Sequence, residues 1–244
     1  MTPEDQRSVA QALLNAEKQR AQIGLLSLQY PEMQIEDAYA IQNIILREKQ
    51  AAGRSVIGWK IGLTSKAMQY ALNIDIPDSG VLFGDMLFDH KGHVPKDRFI
   101  QPRIEAETAF VFKSPIGGDR LTAKDVIEAT DYVCPSIEIL DTRILRHDTQ
   151  SGMTRSVLDT ISDNAANAGI VLGPERHKVS FHDLRWTGAI AFRNGEAEET
   201  GLGAGVLNDP VKSVLWLARR MAQYGQKIEP GQIVLAGSFI RPID

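Results

Sequence analysis

Disulfides are excluded at the outset, because the chain carries a single cysteine, Cys134. A reducing compartment, the cytoplasm, is the expected location. No run approaches the roughly 20 apolar residues needed to span a bilayer. The opening Met1-Thr2-Pro3-Glu4-Asp5-Gln6-Arg7 is polar, with no apolar stretch behind it, which argues against a secretory signal. There is no excess of positive charge: 27 Lys and Arg face 31 Asp and Glu, a net charge of -4. Broad nucleic-acid binding therefore lacks electrostatic support, and neither nucleic acid nor membrane is expected as a partner. Internal repeats, low-complexity tracts and linkers are absent, as is a G-x-S-x-G nucleophile elbow. With 20 glycines and 11 prolines in 244 residues, collagen and disorder are poor descriptions.

What remains is a chain of ordinary globular composition, 43% apolar and 24% charged, long enough to bury a substantial core. Two helices are predicted first. Thr2 can cap one, with Pro3 at its first position and Asp5 completing a capping box, and Val9, Leu13 and Ala16 follow at helical spacing. The second carries Ala38, Ile41 and Ile45 on one face and can stop at Gly53. The pattern then changes to short apolar runs between turns: 55–60, 104–112 and 133–140 read as strands. Trp186 to Arg193 and Glu196 to Thr200 flank Asn194-Gly195, a strong hairpin signal. Asp209-Pro210 opens a late helix (Val214, Leu217, Met221) that Gly225 can end, and a last strand covers 233–236. Helices first and strands afterwards imply an α+β fold. The expected division is a helical part, 1–55, and a β-rich core, 56–244, or one continuous domain over 1–244.

Ile104-Glu105-Ala106-Glu107-Thr108-Ala109 is the most informative segment. Side chains alternate across a strand, so Glu105 and Glu107 project to one side, beside each other and ahead of Ala109 and Val111. Two carboxylates on a partly buried face repel, and burial makes both costly. Glu138 stands in the apolar run Ile137-Glu138-Ile139-Leu140, with no basic residue until Arg143. A cation would resolve all three, and an all-carboxylate set suits a hard ion such as Mg²⁺, Mn²⁺ or Ca²⁺. Solvent-facing strand glutamates are the alternative, and spacing alone leaves both open.

Four segments together resemble the fumarylacetoacetate hydrolase superfamily: Gly58-Trp59-Lys60-Ile61-Gly62-Leu63-Thr64-Ser65, Ile104-Glu105-Ala106-Glu107, Ser136-Ile137-Glu138-Ile139-Leu140-Asp141-Thr142-Arg143 and Asp163-Asn164-Ala165-Ala166-Asn167-Ala168-Gly169. The resemblance runs over essentially the whole chain. It is narrowest with the hydratase/decarboxylase branch and, through the stretches 146–155 and 158–164, with the 2-oxohept-4-ene-1,7-dioate hydratases within it. It implies a barrel-like mixed-sheet core, homo-oligomers, and divalent-metal-dependent addition of water to a 2-oxo dicarboxylate in meta-cleavage catabolism of aromatic compounds. Mg²⁺ or Mn²⁺ is the implied cofactor, with Glu105, Glu107 and Glu138 as ligands. The implied proton-handling pair is Lys60 and Asp78. Sister activities on the same scaffold are 4-oxalocrotonate-type decarboxylation and hydration of 2-oxopent-4-enoate.

The other residues leave choices open. Lys60 ends an apolar strand, where it can lose its proton in a dry pocket, stay charged and bind a carboxylate, or reach out to water. Asp78 lies in Asp75-Ile76-Pro77-Asp78-Ser79-Gly80, a loop composition, and can be a turn-former or an acid–base group. Arg143, and with it Arg146 and Arg155, can meet a distal carboxylate or sit on the surface. Ser162, Asn164 and Ser238 can bind substrate or simply turn the backbone. His90-x-x-His93 reads as an exposed loop pair rather than a zinc site. Gly201-x-Gly203-x-Gly205 lacks dinucleotide-fingerprint spacing, and Cys134 reads as a buried small hydrophobe. A carbon–carbon bond hydrolase of the superfamily would need a His–Glu pair near the N-terminus, where none of His90, His93, His147, His177 or His182 lies. A non-enzymatic metal- or oxo-acid-binding module is the remaining alternative.

Overall fold

The structure is a computed structural model that describes residues 1–244 apart from Leu72, Asn73, Asp75 and Lys96. Thr2 caps α1 (Pro3–Gln19): its hydroxyl accepts from the Asp5 backbone N–H, and the Asp5 carboxylate accepts from Thr2 in return. After α2 (Leu26–Gln29), α3 (Ile35–Ala51) packs Ala38, Ile41 and Ile45 against Val9 and Leu13 of α1. This helical core also takes in Ile144 and Ile161 from far along the chain.

Beyond the helices the chain supplies β1 (Val56–Gly62), α4 (Lys66–Ala71), β2 (Asp78–Phe83), β3 (Leu87–Phe88), β4 (Arg103–Phe112), α5 (Ala123–Ala129), β5 (Thr130–Leu140), α6 (Val157–Ser162), β6 (Asn167–Leu172), β7 (Gly188–Arg193), β8 (Glu196–Leu202), α7 (Pro210–Gln223) and β9 (Ile233–Ser238). Seven strands form one curled half-barrel sheet in the order β2-β1-β9-β4-β5-β6-β3. It is mixed: β1 runs parallel to β9 and β3 to β6, and the other neighbours are antiparallel. The α+β expectation holds.

Alternation assigns the two faces of the sheet different work. Ile61, Phe110, Phe112, Val234 and Ala236 point to one face and close an apolar core with Val214, Leu217 and Met221 of α7. The residues between them point the other way, and there the lateral register sets up the site. Lys60 lies opposite Gly80 and Leu235, and Leu235 opposite Ala109. Gly62 pairs with Asp78, and Glu105 with Glu138. Directly paired residues share a face. Lys60, Asp78, Glu105, Glu107 and Glu138 are therefore neighbours on one concave surface, although 78 positions separate the outermost two in sequence.

Asn194 and Gly195 adopt φ of 53° and 89°, as a two-residue hairpin turn requires, and β7–β8 forms a separate two-stranded sheet. The hairpin begins at Gly188 rather than Trp186, because a short turn capped by Asp183 takes up 184–186.

Gly58 permits the parallel contact of β1 with β9. A Cβ there would lie 1.8 Å from the carbonyl oxygen of Ile233. Gly58→Ala should therefore force β1 away from β9 and lower stability by about 1–3 kcal/mol or more, as overpacking does. Urea unfolding measures this. A change below ~0.5 kcal/mol, ordinary for a surface position, would contradict the described register.

Candidate metal centre and active site

The face built by β4 and β5 holds three carboxylates together. One oxygen each from Glu105, Glu107 and Glu138 lies within 4.8 Å of the others. Glu107 and Glu138 are buried, while Glu105 is half-buried at the rim. One oxygen of each buried glutamate has a specific partner. A bulge in β9 shifts the register between Glu107 and Ala109. It turns the Gly237 N–H onto Glu107 Oε2 at 2.8 Å. The Asn167 amide donates to Glu138 Oε1 at 2.8 Å, and Lys60 Nζ stands 3.2 Å from the same oxygen.

Asp78 faces this group from β2. It was expected in a loop, but it is the first residue of a buried strand and is 1% exposed. Pro77, Ser79 and Gly80 give the segment its loop composition, whereas pairing with β1 decides its structure. Asp75, in the same expected loop, lies outside the described residues. Gly62 leaves the room in which Lys60 and Asp78 meet: a Cβ there would be 2.2 Å from Asp78 Oδ1 and 3.2 Å from Lys60 Nζ.

Burial pushes the Glu105 carboxyl up to about 8, with the charge of Glu138 adding to it. The same two causes, joined by Glu105, carry Glu107 well above the carboxylate range. Burial also raises Asp78, moderated by Lys60. For Lys60, burial opposes the charge, but Glu138, Asp78, Glu105 and Glu107 outweigh it and hold the group above the usual lysine range. Of the choices open for Lys60, the structure excludes a side chain reaching for water, since it is 4% exposed.

The donor set fits a hard divalent cation. Oxygen donors converge, each is buried at a cost that positive charge relieves, and Glu138 Oε2 is buried with no hydrogen-bond partner. Asp78 Oδ1, Ser136 Oγ and Asn167 Oδ1 share that condition, which marks a surface prepared for polar ligands.

The four residues expected to bind substrate each have partners within the protein. Arg143 is 5% exposed; its guanidinium donates to Asp163 Oδ1 at 2.5 Å and to the carbonyls of Asp163 and Asn167. Ser162 donates back to the Leu158 carbonyl one helical turn earlier. The Asn164 amide clamps the strand backbone, accepting from the Val81 N–H at 2.8 Å and donating to its carbonyl at 2.9 Å. Ser238 closes a local turn with Ile240. These contacts brace the backbone around the glutamates.

Asn164, Ala165 and Ala166 all have φ between 51° and 57°, a left-handed turn that costs each non-glycine residue about 1–2 kcal/mol. Its outer partner is Gly80, where a Cβ would come within 2.6 Å of the Asn164 carbonyl. The turn ends on Asn167, which orients Glu138, and begins at Asp163, which holds Arg143. Sequence reasoning missed Asn167 and Asp163 as site residues, although both stand in the motif 163–169. All five histidines are exposed, and none hydrogen-bonds to the glutamates among the described residues.

No protein-family model matches the chain. It is 53% identical over 235 residues to a 2-oxo-hept-4-ene-1,7-dioate hydratase of Escherichia coli, covering 96% of this chain and 88% of that one. It is 37% identical to a 2-keto-4-pentenoate hydratase of Paraburkholderia xenovorans over 98% of this chain and 87% of the other. The solved 4-oxalocrotonate decarboxylase of Pseudomonas putida G7, complexed with magnesium and adipate, superimposes with a TM-score of 0.92. It shares 33% identity, over 100% of this chain and 90% of that one.

The raised carboxyls have a measurable consequence. Between the ordinary glutamate value of 4.5 and about 8, the folded protein holds protons that the unfolded chain has released. Stability present below 4.5 should therefore be lost as pH rises through about 8, when divalent ions are removed. Glu107 and Asp78 act with the same sign. Saturating Mg²⁺ should flatten the slope. Melting temperatures from pH 5 to 8.5, in EDTA and in Mg²⁺, test this; equal slopes would argue against ion binding by these glutamates.

Proposed function

The chain belongs to the hydratase/decarboxylase branch of the fumarylacetoacetate hydrolase superfamily; from that premise we propose that it is a hydro-lyase converting 2-oxohept-4-ene-1,7-dioate to 4-hydroxy-2-oxoheptanedioate. The observation that carries the reading is the joining, on one sheet face, of three converging glutamates with a buried lysine and a buried aspartate. The 53% identity to a hydratase acting on that dioate, against 33% to the decarboxylase, supports water addition over loss of CO₂. A carbon–carbon bond hydrolase would need a histidine beside the glutamates, and the described residues place none there.

In this reading Glu105, Glu107 and Glu138 hold the divalent ion, Mg²⁺ or Mn²⁺. When bound, the ion supplies Lewis-acid polarisation of the 2-oxo carboxylate end of the substrate. Lys60 stays an ammonium and offers N–H donors to substrate oxygen beside Glu138. Asp78 handles the proton: it has an unpartnered buried oxygen, and burial lifts it toward the range in which a carboxyl both takes and gives a proton. It removes a proton from C3 and returns it at C5, which brings the double bond into conjugation with the ketone. Water then adds at C4, and C3 is reprotonated, so one water is consumed overall. Gly237, Asn167 and Asn164 keep the acceptors in place.

The test is the purified protein with the dienol dioate and Mg²⁺, following ultraviolet absorbance, 4-hydroxy product and CO₂. Hydratase activity requires absorbance loss with 4-hydroxy product and no CO₂, and CO₂ as the main product would select the decarboxylase instead. Asp78→Asn should cut kcat by about 10²–10⁴-fold, the usual worth of a general acid–base group. It should leave metal affinity in place, whereas Glu107→Gln should lose both. Equal loss of metal from the two variants would remove Asp78 from the proton-handling role.

A further inference from the structure

The segment between Arg146 and Arg155 folds back on itself. His147 pairs with Thr154, the Arg155 N–H donates to the Arg146 carbonyl at 3.0 Å, and Asp148 turns the tip. The two arginines therefore stand opposite each other at the base of this loop. Arg155 is half-buried and donates through Nη1 to Thr142 Oγ1 at 2.6 Å, on a buried residue two positions beyond β5. Arg146 donates to the Gln101 carbonyl, and its Nε is buried with no partner. Arg103, on the glutamate side of β4 and one alternation outward from Glu105, is close enough to repel Arg146.

Three guanidiniums thus converge beyond the outer end of the glutamate row. Arg103 has a carboxylate partner in Asp244. Among the described residues, no carboxylate lies within ion-pair distance of Arg146 or Arg155, although Arg143, which acts on Arg155, has one. Carboxylates act on these two from beyond that distance, Asp163, Asp159 and Asp78 on Arg155 and Asp244 and Asp141 on Arg146, and none is in contact with either guanidinium. Arg155 is also near enough to act on the charge of Asp78, the proposed proton-handling group. Along β4, Arg103 is about 7 Å from Glu105 by strand rise, the scale of a short carbon chain.

We propose that Arg155, assisted by Arg146, seats the distal carboxylate of the substrate and makes the site selective for 2-oxo dicarboxylates over monocarboxylates. Guanidinium geometry suits this, since a fork of N–H donors meets a carboxylate bidentately. Thr142 occupies one donor of Arg155 and fixes the direction of the rest. This assignment rests on the hydratase reading for its substrate, while the anion seat itself stands on the arginine geometry.

The experiment pairs kinetics with binding. Wild type, Arg155→Gln, Arg155→Lys and Arg146→Gln are assayed with 2-oxohept-4-ene-1,7-dioate and 2-oxopent-4-enoate, and calorimetry with Mg²⁺ present compares adipate with hexanoate. Loss of a charge-assisted contact should lower the kcat/KM ratio of dioate to monocarboxylate by about 10- to 100-fold in Arg155→Gln, chiefly through KM. Adipate should weaken by a similar factor, and hexanoate should not. Arg155→Lys should recover part of the preference, and Arg146→Gln should show a smaller loss. Equal loss on both substrates would make Arg155 a structural residue and overturn the proposal, as would wild type binding adipate and hexanoate alike. If wild type hydrates neither substrate yet prefers adipate through Arg155, the hydratase reading fails and the anion seat stands.

Discussion

Mutual repulsion among buried carboxylates is the constraint on which the rest of this structure depends. Glu107, Glu138 and Asp78 are each at most 5% exposed, and Glu105 joins them at the rim. Four such carboxyls on one face of the sheet, when all are ionised, exceed what a single lysine balances. The protein nevertheless keeps them there, and it commits scaffold to the task. One bulge points a backbone N–H at Glu107, an asparagine is placed to touch Glu138, and glycine at 62 makes room for Lys60 and Asp78. Held acceptors of this kind lower the reorganisation needed when an ion and a substrate arrive.

The strained turn at 164–166 belongs to the same logic. Three consecutive left-handed non-glycine residues are unfavourable in isolation, and they persist because tertiary contacts over-determine them. Asn164 bonds both backbone groups of Val81, the Asp141 N–H donates to the Ala166 carbonyl, and Gly80, with no side chain, leaves room for the Asn164 carbonyl. The turn delivers Asn167 to Glu138 on one side and Asp163 to Arg143 on the other. Arg143 in turn bonds the Asn167 carbonyl, which braces the start of β6 against β5. The helical N-terminal part is tied into this region, since Gln42 of α3 donates to the carbonyls of Ser79 and Ile161.

How much of this was legible in the sequence follows from the range of each signal. Glu105 and Glu107 could be read, because alternation in a strand is local and their placement together needs no partner. Glu138 could be read as anomalous in an apolar run, though its lateral pairing with Glu105 could not. The capping box at Thr2 and the turn at Asn194-Gly195 are local chemistry, and both form as expected. Asp78 was misplaced because Pro77, Ser79 and Gly80 mimic a loop, whereas the strand exists through pairing with β1. The turn at 164–166 carries two alanines where glycine would be the usual sign, so nothing local announces it. Arg143 followed Glu138 closely and looked free; its partner Asp163 lies 20 residues on, and only the fold brings the two together.

Charge at the site explains why its parts depend on one another. Four carboxylates and one ammonium leave a formal excess of three negative charges, and a divalent ion reduces that to one. On the proposed assignment, Arg146 and Arg155 then tip the interior to a single positive charge, which a monoanion would cancel and a dianion would reverse. Position decides between them: the ion concentrates positive charge at the glutamate end and the arginines at the other, so one carboxylate cannot answer both. A dianion places a charge at each end, and each end then has a counter-charge at contact distance rather than across the interior, where attraction falls with separation. Selectivity of this kind needs no snug walls along the carbon chain. It needs two separated seats of positive charge, one on the paired strands β4 and β5 and the other at the base of the loop that Thr142 anchors just beyond β5.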